Sequence, residues 1–133
     1  MTNRFIEEEI IFSTALLEEL GDNQSVLIIL NFFLTSTPKD LKELQEYIAQ
    51  KKFQEIYKKA HKLKGAVAML KAQKMVEVLL LLETAAEIDQ NIIMIESLAA
   101  ILIKMYQVLE KQMLEAIAIL KWELDQSPQK NLF

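Results

Sequence analysis

Cysteine is missing from this 133-residue chain. That excludes disulfides and thiolate metal sites, and it fits a reducing compartment such as the cytoplasm. Histidine is almost missing too: His61 is the only one. A carboxylate-bridged di-iron bundle needs a Glu-x-x-His motif on each of two helices, and the residue three before His61 is Lys58. A structural or catalytic zinc site lacks ligands for the same reason. With 2 glycines there is no glycine-rich phosphate loop, and no nucleophile elbow serves a Ser-His-Asp triad. The longest apolar runs, Val78 to Leu82 and Leu98 to Ile103, fall far short of the ~20 residues that span a bilayer. Residues 1–9 place acid where a signal peptide needs a basic flank. Positive charge is also in deficit, 15 basic against 19 acidic residues for a net charge of −4, so nucleic acid is a poor partner. These absences point to a soluble, cytoplasmic protein with no membrane insertion, and the length fits a single domain over 1–133.

What is present describes long packed helices. Hydrophobic residues make up 52% of the chain, with 2 prolines and 2 glycines to interrupt them. A first helix is expected over about Arg4 to Leu20, carrying Phe5, Phe12, Leu16, Leu17 and Leu20 and stopping at Gly21. Asp22, Asn23 and Ser25 can cap a second helix bearing Val26, Ile29, Leu30, Phe33 and Leu34. Asn23-Gln24-Ser25 therefore reads as a helix start rather than a glycosylation site. Thr37-Pro38 allows a new helix with proline at its first position, or a kink within one helix. Because the stripe resumes at Leu41, Leu44 and Ile48, one long kinked helix over about 24–50 is the expectation.

Lys51-Lys52 mark a turn. Phe53, Ile56, Tyr57, Ala60, Leu63, Val67 and Leu70 then follow helical spacing over nearly five turns. A break near Lys71 to Lys74 precedes a leucine-rich segment, Met75 to Ile88, and Asp89-Gln90-Asn91 form the next turn. The last long helix runs from about Ile92 to Leu120, and Ser127 to Phe133 reads as a frayed tail. Short connections between long amphipathic helices give an all-α, up-down antiparallel four-helix bundle. An extra N-terminal helix and a long C-terminal helix add to it, with the core over about 20–120. Met69, Met75, Met105 and Met113 fall in apolar patterns and are expected in the core, and Trp122 is expected to pack on the bundle. Ile93, Ile101, Ile103 and Val108 lie off the last helix's main stripe, so they either cover the first helix or form a homodimer face.

His61 sits roughly 120° from the centre of its helix's apolar stripe, on a flank that solvent or a partner can reach. Gly65 lies one turn on, on the same face, where glycine costs ~1 kcal/mol relative to alanine. Such an expense suits a surface that another molecule must approach closely, and Ala68 continues it. Lys58 and Lys64, three residues to either side, can reach a group attached to the imidazole, with Lys59 and Lys62 adding positive charge. Imidazole is a competent nucleophile at neutral pH, and neighbouring lysines can stabilise a phosphoryl group that it accepts.

The segment Ala60-His61-Lys62-Leu63-Lys64-Gly65-Ala66 resembles the signature of the histidine-phosphotransfer (HPt) family, A-H-x-L-K-G-S/A. The surrounding pattern is similar as well: a long helix with a mid-helix proline, a short basic turn, then the histidine helix. The resemblance covers roughly residues 20 to 110. It implies a four-helix bundle in which His61 is the phosphoacceptor, Lys64 assists the phosphoryl group and Gly65 keeps the surface open. Lys58, Lys62 and Ala68 would meet the partner. It further implies a phosphorelay intermediate in two-component signal transduction, a carrier rather than an enzyme. Its partners would be receiver domains and a sensor histidine kinase, with no cofactor of its own and Mg²⁺ supplied by the receiver. Where the family often has Ser-Ala-Gly after the glycine, this chain has Ala66-Val67-Ala68. Two other functions compete: an adaptor that binds a receiver or kinase without carrying phosphate, and a dimeric structural bundle.

Overall fold

The structure, a computed structural model, describes residue 19 and residues 21–126. The expected helix over 4–20 and the tail at 127–133 lie outside the described residues. Four α-helices follow in order: α1 (Asn23–Ala49), α2 (Phe53–Met69), α3 (Gln73–Thr84) and α4 (Ile92–Gln126). A π-helical turn over Ala85–Asp89 extends α3. No strand occurs among the described residues. Each helix packs on its neighbours in the chain, and α4 returns to α1, closing an up-down ring. The all-α bundle is therefore the one expected.

Local chemistry explains the boundaries. Gly21 sits at φ 99°, the left-handed region where a side chain would be strained. Asp22 then caps α1, its carboxylate accepting from the Ser25 backbone N–H at 2.7 Å. The side chain of Asn91 accepts from the Met94 N–H at the start of α4. With no glycine to spare, the other stops fall on Lys51, Lys71 and Gln90, all left-handed, at φ 55°, 56° and 47°. Pro38 lies inside α1, which runs unbroken through it. That settles the two readings of this position in favour of one helix.

The core gathers Leu30, Leu44, Ile56, Leu63, Leu79, Leu82, Ile95, Leu102 and Leu109 from all four helices. By length and composition α4 would be long and apolar enough to cross a membrane. The same traits suit the central helix of a bundle, and here its stripe from Ile95 to Ile117 is buried. Uninterrupted apolar runs miss this feature because single polar residues punctuate it. Met75, Met105 and Met113 are core residues, whereas Met69 and Trp122 are exposed, contrary to expectation. Met69 is the last residue of α2, and Trp122 lies off the face of α4 on which Ile117, Leu120 and Leu124 are covered. Of the off-stripe residues, Ile93 is exposed while Ile101 and Val108 pack partly against the core.

Candidate functional site

The site is built on the outward flank of α2 and on two acidic residues that face it from either side. The buried stripe Ile56, Ala60, Leu63 and Val67 fixes the helix's rotation. His61, one residue past Ala60, is thereby turned out, and its side chain is 63% exposed. Gly65 and Ala68 are exposed on the same helix. A β-carbon placed on Gly65 would meet nothing within 4 Å. The chain itself therefore does not require glycine there.

The imidazole is not free to turn. Its Nδ1 lies 2.7 Å from Oε2 of Glu83 on α3, and Tyr57 stacks on the ring with centroids 6.0 Å apart. The other oxygen of Glu83, Oε1, accepts from Nζ of Lys64 at 2.6 Å. Glu83 is buried, its side chain 7% exposed. Burial alone pushes its carboxyl up, but hydrogen bonds from Lys64 and His61, with their charge, outweigh it and hold the group below the usual value. The carboxylate is thus ionised at neutral pH and can only accept. Nδ1 consequently carries the proton, and the lone pair sits on Nε2, on the far side of the ring.

On the opposite flank, Asp40 of α1 is buried and its Oδ1 accepts from both Lys59 and Lys62 at 3.1 Å. Lys59 also donates to Glu43 at 2.8 Å. Burial pushes the Lys59 ammonium down, yet its bonds to Glu43 and Asp40 raise it overall. Lys58 stays at the surface, 3.8 Å from Glu55.

The structure thus brings His61 and Lys64 together through one carboxylate, and sets Gly65 and Ala68 beside them. It turns Lys62 and Lys59 toward α1. Neither Glu83 nor Asp40 figured among the sequence candidates. Each left a trace: Asp40 falls on the stripe of Thr37 and Leu44, and Glu83 lies four residues after Leu79. A charged residue at a core position needs a buried partner.

No group of three or more metal-ligating side chains gathers among the described residues. The arrangement presents an oriented imidazole on an open face. No curated protein and no solved structure matches the chain. The family model for the Hpt domain matches residues 29–119, more than half of the chain and all of the site just described. Domains of this family act in phosphorelays of two-component signalling, as phosphate carriers that interact with receiver domains and kinases. On that match and its helical bundle, the chain belongs to the Hpt domain family.

Proposed function

We propose that His61 is the phosphoacceptor, taking a phosphoryl group on Nε2 from a receiver-domain aspartyl phosphate or a kinase and passing it to another receiver aspartate. The observation that carries this is the exposed imidazole with Nδ1 bonded to the buried Glu83 carboxylate, which leaves Nε2 as the nucleophile on the accessible side. The ring is held by its neighbours, so little ordering is left to do when a donor arrives. Lys64, one turn away and 26% exposed, holds its ammonium on Glu83 beside the ring, where its positive charge favours an incoming phosphoryl group. Gly65 and Ala68 leave space for an in-line approach, with Lys58 and Lys62 at the margins of the partner face. The receiver brings Mg²⁺ and the acidic pocket, and the cytoplasm, where soluble receivers operate, is the natural compartment.

Incubation with a ³²P-labelled receiver domain should yield a phosphoprotein that is labile to acid and stable to alkali. His61→Gln should abolish the label without unfolding the bundle. Persistent labelling of the His61→Gln protein, or no labelling of the wild type by any receiver of the same organism, would contradict the proposal.

A further inference from the structure

Glu83 has a consequence for the phosphorylated state, which rests on the functional reading above. We propose that Glu83 keeps the Nδ1 proton on His61 throughout the cycle, so that phosphate enters and leaves without any proton being exchanged with solvent.

The chemistry balances as follows. The Nε2 lone pair attacks the phosphorus of an aspartyl phosphate. The Nε2–P bond forms and the acyl O–P bond breaks, its electron pair leaving with the aspartate as carboxylate. Nδ1 retains its hydrogen, so the ring becomes cationic. The reverse step expels a neutral imidazole, a good leaving group. If the phosphorylated ring instead lost its Nδ1 proton to water, transfer onward would have to expel an imidazolate anion, and the phosphate would be stranded until a proton returned.

The geometry opposes that loss. Nδ1 faces Glu83 Oε2 at 2.7 Å, and hydrogen bonds between ionised partners are about twice as strong as neutral ones. The bond therefore tightens when the ring gains charge. The carboxylate lies beneath the surface, 7% exposed, where water competes poorly. Other charged groups around the ring are accounted for. On α2, Lys64 shares the same carboxylate and keeps it ionised. Lys58 is drawn toward Glu55, and Lys62 is drawn to Asp40 of α1. Tyr57 stacks on the ring. Glu87, one turn beyond Glu83 on the π-helical turn, is exposed.

The test uses the fact that the chain has one histidine. Protein labelled with ¹⁵N-histidine is phosphorylated with phosphoramidate or with the receiver domain above, and the Nδ1 shift is followed against pH. In the folded phosphoprotein, Nδ1 should stay protonated to at least about one pH unit above the midpoint of the same phosphoprotein in urea, a tenfold preference. Glu83→Gln should remove that difference and slow transfer to the receiver about tenfold on the alkaline side. Equal midpoints in folded and urea-unfolded wild type overturn the inference while leaving His61 as phosphoacceptor, and this comparison holds even if the variant fails to fold. No phosphohistidine by either route overturns the functional reading itself.

Discussion

Helix α2 is held between two buried carboxylates, Asp40 on α1 and Glu83 on α3, and each accepts from two basic side chains of α2. Asp40 faces two lysines, both ammonium ions at any physiological pH, so that flank has a single charge state and serves as a fastening. Glu83 faces one lysine and one imidazole. An imidazole, unlike an ammonium, offers a ring nitrogen with a lone pair, and under the functional reading above that difference turns an ion pair into a site for chemistry. The same side-chain vocabulary, with one residue changed, separates architecture from reactivity.

The strongest challenge to this division is Asp40→Ala. Removing one member of a buried ion pair typically costs about 3–5 kcal/mol because the partner charge is stranded. Here Glu43 still serves Lys59, so chemical denaturation should show a loss near the lower end, roughly 3 kcal/mol. The rate of phosphate uptake at His61 should be unchanged. If uptake collapses while stability holds, the flanks have been assigned the wrong way round. Glu83→Gln should show the opposite balance. The amide can still accept one hydrogen bond, so stability should fall by about 1–2 kcal/mol, while onward transfer suffers at high pH.

Titration separates the flanks without mutation. The folded Glu83 carboxyl lies below its ordinary value of 4.5, so its contribution is complete above that value and lost as pH falls through the lower folded one. The Lys59 ammonium lies above its ordinary value of 10.5, so its contribution is complete below that value and lost as pH rises through the higher folded one. Unfolding curves across pH should show Glu83→Gln flattening the acid limb and Lys59→Met the alkaline limb. An alkaline limb changed by Glu83→Gln would mean that the two flanks act as one network.

A smaller effect is expected at Gly65, which touches neither carboxylate. Gly65→Ala should raise the melting temperature, a gain of up to about 1 kcal/mol, since a helix interior favours alanine and the site has room. Gly65→Leu should keep the helix but slow phosphate uptake from a receiver. Equal uptake by the glycine and leucine forms would remove any need for open space there. Smallest of all, Trp122→Ala should change stability by less than about 0.5 kcal/mol, because the indole is exposed.

The periodicity of α2 and α4, and the turns at Lys51, Lys71 and Gln90, were legible because core burial imposes spacing and the breaks interrupt it. His61, Lys64 and Gly65 could be read for a similar reason: α2 alone places them on one flank. Glu83 and Asp40 come from other helices, and helical spacing carries no information about which residues of α3 or α1 will face position 61. Their acidic character also blended into a chain with 19 acidic residues. Lys59 and Lys62 looked like part of a cationic surface for the same reason, since the carboxylate that claims them lies 19 and 22 positions upstream. Trp122 failed differently: it lies off the face of α4 on which Ile117, Leu120 and Leu124 are covered, so the indole points away from the core.

The hydrogen bond from Asn23 to Glu123 shows that the start of α1 and the end of α4 lie side by side. Asp40, level with the imidazole's neighbour Lys62, is 17 residues farther along α1, roughly 25 Å at 1.5 Å per residue. The described helices therefore begin and end together at one pole, well away from His61. On that geometry a fluorescent label or tether attached at position 23 or 123 would leave the surroundings of His61 clear.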